Sequence, residues 1–543
     1  MDNTKGTRLR MFQNAYRAGL RWACIILTEL FIAWTLLQYV VKERDYLKYM
    51  KWVGVAILTA ALIYVCLAVF TDREELRRIG AFLKSMCSFE QIMLILIMLW
   101  YILGCAVRSR LDGDPLFSFN DNRLFMFTMT VFLFFPFVNL MGKRAGRVID
   151  GMIHFNLPAY SLFLAWCIVK FYRVELIYFP SGLKLTLWRK GVSMTIGGNI
   201  NITAAASVIL FGVSLYMILT KSRIIRVIYI PAAVIQFMTV ILTGSRTSFL
   251  ALTFVSLGTA ILFTWDVLRD KGTRLRIAGT VLAAVICVAA ILAAQRVLIK
   301  MFEHVYPEST KYDVKIEEPQ TVDNTEKAAQ IIAPAMYGAK AHEFLRSATD
   351  TMITMQRSSD FTVRAARALP VKGFAGEDGE TNTNDIEMEE GPRKMSDLSS
   401  RTIVWKCAIQ IMLSSRGKFL FGVSPCYTAK RLQEATGLGA DITHAHNGLL
   451  QMGVGIGVPG MLLFFLFEAS IVIRCLTIIF GKRDGLFRSC WIVPVIIMGT
   501  LVIELVEAML FVMPRFNIPA FYMLTGCLVM MDRERRTALA GKN

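Results

Sequence analysis

Arginine and histidine at the ends of apolar runs are the side chains in this sequence with the most chemistry to offer. Arg246 stands in Thr243-Gly-Ser-Arg-Thr-Ser248 with apolar runs on both sides. A guanidinium this close to hydrocarbon needs a partner, and snorkelling to lipid headgroups is the commoner use of a lone arginine at such a place. Arg401 stands in Ser399-Ser-Arg-Thr-Ile-Val-Trp-Lys406, after which Val404, Ala408 and Ile411 recur at helical spacing and Arg416 and Lys418 follow. That pattern predicts an amphipathic helix entered by Arg401. Ser399 or Ser400 could cap it, and the free amides of its first turn would join Arg401 in an anion site. A helix lying on the membrane surface with a solvated arginine fits the same pattern.

The third stretch is His444-Ala-His-Asn447, followed by Gly453-Val-Gly-Ile-Gly-Val-Pro-Gly460; two of the chain's 5 histidines are here. An His-x-His pair can ligate a metal, but the neighbouring sequence offers no third ligand at suitable spacing, so no metal is expected. With an unperturbed pKa of about 6.5, an imidazole suits the removal of a proton from a sugar hydroxyl near neutral pH. Asp441 is the nearest acid that could orient it. Two interfacial histidines capping a helix are the plainer alternative.

The elements that must position these residues are membrane helices. The chain is 55% hydrophobic and only 19% charged, far more apolar than an average soluble domain. Its 60 Lys+Arg against 41 Asp+Glu leave +19, but the basic residues gather in short links between apolar runs. The excess therefore reports topology and not nucleic-acid binding. The first run, 20–41, is too long for a signal-peptide core and lacks a small-residue cleavage site, so it reads as a retained span. With ~20 apolar residues needed per crossing, spans are expected at 20–41, 50–71, 90–107, 123–141, 152–171, 201–220, 224–243, 247–267, 277–298, 449–480, 489–513 and 516–531. The expected fold is all-α and multi-pass, with about twelve transmembrane helices.

If the N-terminus is cytoplasmic, every second link should be basic. The links Arg73 to Lys84, Lys143 to Arg147, Lys221 to Arg226, Arg269 to Arg276 and Lys482 to Arg488 all are, and so are both tails. Both termini are thus expected in the cytoplasm. One outer link, Val41 to Lys51, runs against the bias.

The chain accordingly divides into a membrane part of nine spans at 1–298, an extracytoplasmic segment at 299–448 and a final membrane part with a cytoplasmic tail at 449–543. The outer segment is soluble in character: residues 301–400 carry a net charge of −7, and the rest of the chain +26. Gly373 to Pro392 has the composition of a disordered insertion. Asp378, Glu380, Asn382 and Glu389 are spaced somewhat like a calcium loop, but Thr383 stands where that loop needs glycine and Asp385 where it needs an apolar residue. Most of the 11 cysteines, among them Cys24, Cys66, Cys105, Cys167 and Cys287, lie inside spans as small apolar residues. Cys407 and Cys426, in the outer segment, have no metal or redox spacing. No half-to-half repeat of the kind found in many transporters is visible.

By the count of crossings, Arg246 and the Arg401/His446 pair sit on two different links that both emerge on the outer face, where they can converge. Two arginines match a diphosphate with forked, permanently charged donors. In a displacement at a sugar C1, such arginines would stabilise the charge growing on the leaving diphosphate. The histidine would activate the incoming hydroxyl.

Three motifs together resemble those of the O-antigen ligase and O-antigen polymerase superfamily of bacterial membrane glycosyltransferases. They are Ser245 to Thr247 after a span, Arg401-x-x-x-Trp-Lys406, and His446-Asn447 followed after nine residues by Gly457-Val-Pro-Gly460. The resemblance covers roughly residues 195 to 470. It implies a GT-C-like helical enzyme of the bacterial cytoplasmic (inner) membrane, with its active site on the outer face. Such an enzyme moves a glycan from an undecaprenyl diphosphate carrier onto a glycan or lipid-linked acceptor, with inversion and with no cofactor, nucleotide sugar or metal. By that analogy His446 is the catalytic base, Arg246 and Arg401 hold the donor diphosphate, Asn447 positions His446, and His444 joins them in the substrate-binding set. Where the family often has Gly-x-Gly after the amphipathic helix, this chain has Gly422-Val-Ser424. A flippase or exporter of the same lipid-linked glycans, in which the arginines bind headgroups and no bond is made, is the alternative function. A non-catalytic scaffold is a third.

Overall fold

The computed structural model describes residues 87–112, 154, 156–173, 186–187, 194–195, 200–220, 223–302, 399–425, 427–436, 444–481, 491–508, 510 and 516–540, with isolated positions 33, 36 and 80. The expected spans 20–41, 50–71 and 123–141 lie outside these residues, as do the calcium-like positions, Asp441 and Cys426. The chain divides into one unit of Met1–Tyr306 with Gly391–Asn543 and a second of Pro307–Glu390, which lies outside the described residues.

The first unit is helical. In chain order it holds α1 (Phe89–Asp112), α2 (Asn156–Tyr172), a two-residue antiparallel pair β1 (Thr186–Leu187) and β2 (Met194–Thr195), α3 (Ile200–Thr220), α4 (Arg223–Leu242), α5 (Arg246–Val267) and α6 (Thr273–Met301). Then come α7 (Ser399–Leu413), α8 (Arg416–Phe421), α9 (Thr428–Thr436), α10 (Gly448–Phe480), α11 (Ile492–Glu504) and α12 (Asn517–Ala540). Five helices among the described residues, within α1, α3, α5, α6 and α10, are long and apolar enough to cross a membrane. The protein is an integral membrane protein. Its β pair is a small addition to the expected all-α fold, and Met194 of that pair is buried in the core.

In lipid the apolar surface of a helix gains nothing by hiding, so helices pair through close packing of small residues. At Gly212 of α3 a Cβ would stand 2.5 Å from Ile496 Cγ1, and at Gly258 of α5 it would stand 3.0 Å from Val495 Cγ1. At Gly499 of α11 it would stand 2.5 Å from Val255 Cγ2 of α5. These glycines let α3 and α5 close on α11, whose Ile492, Val493, Val495, Ile496 and Ile497 are all buried. By contrast α6 turns most of its length outward, with Val281, Leu282, Val285 and Ile286 exposed, as suits a lipid-facing helix.

The run expected to span 489–513 is shorter than its hydropathy suggests. α11 stops at Glu504, and the chain turns through Leu505–Ala508, with Glu507 N bonded to Ile503 O at 2.8 Å. The carboxylate of Glu504 fixes the turn by accepting from Leu510 N at 3.0 Å. Two glutamates at the end of an apolar run end the span, and Glu507 is carried out of the helix.

α10 is interrupted at Gly457, whose φ of 81° and ψ of 173° are closed to other residues. Pro459 has no N–H to give to Gly455 O, and the break at Gly457 frees the carbonyls of Val454 and Ile456 as well. All three find other donors. Val423 N bonds to Val454 O at 2.7 Å, Ser424 N to Gly455 O at 2.9 Å, and Trp100 Nε1 to Ile456 O at 3.1 Å. The same indole lies 3.2 Å from Leu420 O and stacks on Phe421, with ring centroids 5.3 Å apart. The Gly457-Val-Pro-Gly460 motif is therefore a docking notch for the segment that follows α8.

Candidate active site

α7 forms where the spacing of Val404, Ala408 and Ile411 predicts it, and those residues pack with Met412, Val423, Leu432, Ala445 and Val454 in a second small core. Ser399 and Ser400 fall inside the helix and not at its cap. With its apolar face held against α10, α7 carries Arg401 and Trp405 one turn apart. Trp405 Nε1 donates to the backbone oxygen of His446 at 3.3 Å.

The segment His444–Asn447 enters α10, and its cap is Asn447 and neither histidine. Asn447 Oδ1 accepts from Leu450 N at 2.9 Å, while its Nδ2 donates to Leu505 O at 2.9 Å and ties the helix start to the turn after α11. Gln451 Oε1 accepts from Ala445 N at 2.7 Å. His446 has a φ of 50°, a strained left-handed conformation for a residue with a side chain. It is held there from both sides, because its carbonyl takes the Trp405 indole and its amide donates to His444 Nδ1 at 3.1 Å. Strain of this kind persists only where the surroundings over-determine it, and it collects at functional sites.

The centre of the site is Glu507, a residue that the sequence reading missed. Its carboxylate is fully buried and accepts from three elements at once. Arg401 Nη2 lies 2.5 Å from Oε1 and Asn201 Nδ2 2.8 Å from the same oxygen, while His446 Nδ1 lies 3.2 Å from Oε2 and His444 Nε2 3.6 Å from it. Burial pushes this carboxyl upward, but the hydrogen bond and charge of His446, with His444 and Arg401, outweigh it and hold the group below the ordinary carboxylate range. It is an anion at neutral pH. Asp441, the acid expected to orient an imidazole, lies outside the described residues; Glu507 makes that contact.

These contacts set the tautomers of the neutral rings. In neutral His446, Nδ1 faces the Glu507 carboxylate and donates to it, so Nε2 bears the lone pair. His444 Nδ1 accepts an amide, so its proton is on Nε2 toward Glu507. The rings stack with centroids 4.2 Å apart, but His444 is 5% exposed while the His446 side chain keeps 26%. His446 can therefore meet a substrate, whereas His444 has both nitrogens turned inward.

The network also reaches the start of α5. Ser245 Oγ donates to Asn201 Oδ1 at 2.8 Å and caps the helix by accepting from Ser248 N at 3.4 Å. Arg246, the next residue, is exposed at this helix start. The structure thus brings Arg401, His444 and His446 onto Glu507, ties Asn447 to the turn that carries it, and links Arg246 through its neighbour Ser245.

The atoms of His444, His446 and Glu507 that could ligate a metal lie within 4.8 Å of one another, so the fold supplies the third group absent from the neighbouring sequence. The donor set is already engaged, however. Arg401 meets the carboxylate's charge, and His444 Nδ1 is bound to an amide. A guanidinium on the same carboxylate disfavours a second cation there.

Fold and site define a helical membrane protein with an imidazole–carboxylate pair and two arginines at one end of its bundle. A family model described as O-antigen ligase matches residues 231–465, so this stretch of the chain is similar to the O-antigen ligase family. No curated protein matches the chain. The matched stretch includes Arg246, Arg401, His444, His446 and Asn447, but Asn201 and Glu507 lie outside it. A carboxylate inside an apolar run is the signal that could have found Glu507.

Proposed function

We propose that this chain transfers a glycan from a polyprenyl (undecaprenyl) diphosphate carrier to an acceptor hydroxyl, as a ligase-like or polymerase enzyme of cell-surface polysaccharide synthesis. The observation that carries the reading is His446, held by buried Glu507 with Nε2 free and with Arg401 on the same carboxylate. His446 Nε2 takes the proton of the acceptor hydroxyl, the acceptor oxygen bonds to the sugar C1 from the face opposite the carrier, and the bond from C1 to the diphosphate oxygen breaks. The anomeric centre inverts, and the electron pair leaves on the diphosphate. Arg246 and Arg401 supply the positive charge that the leaving group requires. Glu507 stabilises the imidazolium, and His444 and Asn447 hold His446 in place.

The family supports a lipid-linked donor and a membrane setting. The basic links support about twelve crossings of the bacterial inner membrane, both termini in the cytoplasm and the site on the outer face. In that topology the segment 299–448 is extracytoplasmic.

The test uses the full chain purified in detergent with a synthetic polyprenyl diphosphate oligosaccharide and a glycan acceptor. Product formed with no sealed membrane excludes transport without chemistry. The His446→Ala variant should lose about 100-fold or more of the turnover, the usual contribution of a positioned base. Full turnover by that variant would overturn the assignment.

A further inference from the structure

We propose that Asn201 is a positioning residue that keeps the donor-holding start of α5 in register with the base at His446. The inference rests on the glycosyl-transfer reading above and extends it to a residue outside the family-matched stretch.

The Asn201 side-chain amide is engaged at both ends. Its nitrogen donates to Glu507 Oε1 at 2.8 Å and its oxygen accepts from Ser245 Oγ at 2.8 Å, so neither end can be exchanged without losing both bonds. Asn201 lies in the first turn of α3, Ser245 caps α5, and Glu507 lies in the turn after α11. α5 and α11 pack directly along their lengths, and the Asn201 side chain adds a hydrogen-bonded bridge between the turn after α11 and the start of α5. Ser245 is 2% exposed and Glu507 is fully buried, so water does not replace either contact. A shift of the α5 start would move Arg246, the residue after Ser245, relative to the proton acceptor. Misplacement by about 1 Å is enough to cost a large factor in rate. The amide also gives Glu507 Oε1 a donor beside Arg401. The guanidinium thus shares that oxygen, with its other N–H groups left for an anion.

Three variants separate this role from a merely structural one, each assayed for transfer from the synthetic polyprenyl diphosphate oligosaccharide in detergent. Asn201→Asp keeps the shape but sets an oxygen against Glu507, and kcat should fall about tenfold or more. Ser245→Ala leaves the amide on Glu507 and cuts only the link to α5, so the donor KM should rise about fivefold or more, with a smaller fall in kcat. Asn201→Leu removes both links and should combine the two effects. A residue that only supports folding would reduce the active fraction, and so the apparent kcat, in all three with the donor KM unchanged; that pattern overturns the proposal. Parent kcat in Asn201→Asp also overturns it. If Asn201→Asp does not fold, the donor KM of Ser245→Ala alone decides. Failure of the underlying reading is distinct, because the parent would then form no product in detergent, or His446→Ala would retain full turnover, whatever the Asn201 variants do.

Discussion

Glu507 shows how one buried anion can organise cations and imidazoles that the chain supplies from far apart. Oε1 takes two donors and Oε2 takes one, with the His444 ring close by, so the desolvation of the carboxylate is offset. Because its folded pKa is held below the ordinary value, the stability it contributes is fully present above the carboxylate's unfolded pKa and is lost as pH falls through the folded one. Glu507→Gln should therefore melt below the parent at neutral pH, and the gap should close only in acid, below about pH 4.5. Melting temperatures in detergent from pH 7 downward test this, and a gap that stays constant into acid would refute it.

At the scale of elements, the broken helix α10 is what joins the membrane bundle to the segment carrying Arg401. Its freed carbonyls are taken by Val423, Ser424 and Trp100, and that docking leaves no room for a side chain at Gly457. A Cβ there would run into the backbone of Leu420 and Phe421. Ser424 is the converse case, a side chain at a φ of 76° at the third position of Gly422-Val-Ser424, where a Gly-x-Gly pattern would put glycine. Gly457→Ala and Ser424→Gly should then move stability in opposite directions. The first meets both a positive φ and a backbone clash and should cost about 3 kcal/mol or more, while the second should gain up to ~1 kcal/mol. Thermal melting of the two variants beside the parent decides it; a Gly457→Ala protein as stable as the parent would mean the notch is not needed.

Across the whole molecule, the site is matched by an ion-pair cluster at the far end of α10, about 40 Å along the helix. Arg474 grips Glu90 of α1 through two bonds of 2.5 and 3.0 Å and reaches Asp532 of α12 at 2.6 Å, where Arg535 and Arg536 also bind. Glu90 is 1% exposed, so Arg474→Leu would leave it buried without these contacts and should cost about 3–5 kcal/mol while transfer per folded molecule is retained. Equal melting temperatures for variant and parent would refute that. Much of this architecture is legible in the sequence. Spans at 90–107, 201–220, 247–267, 277–298 and 449–480 match helices to within a few residues, because hydropathy is a local property that lipid reads directly. The reach of α7 and the candidacy of Arg246, Arg401 and His446 follow from helical spacing and residue chemistry. Glu507 was hidden because it sits in an apolar run, and Asn201 because an asparagine at a helix start is ordinary. Sequence alone determined a multi-pass helical membrane protein and singled out the side chains proposed for glycosyl transfer. Only the tertiary structure decided which carboxylate holds His446, that His444 is turned inward and that Asn447 is a cap, since hydrogen bonds between residues 60 to 300 positions apart depend on how the helices pack and leave no periodic trace in the chain.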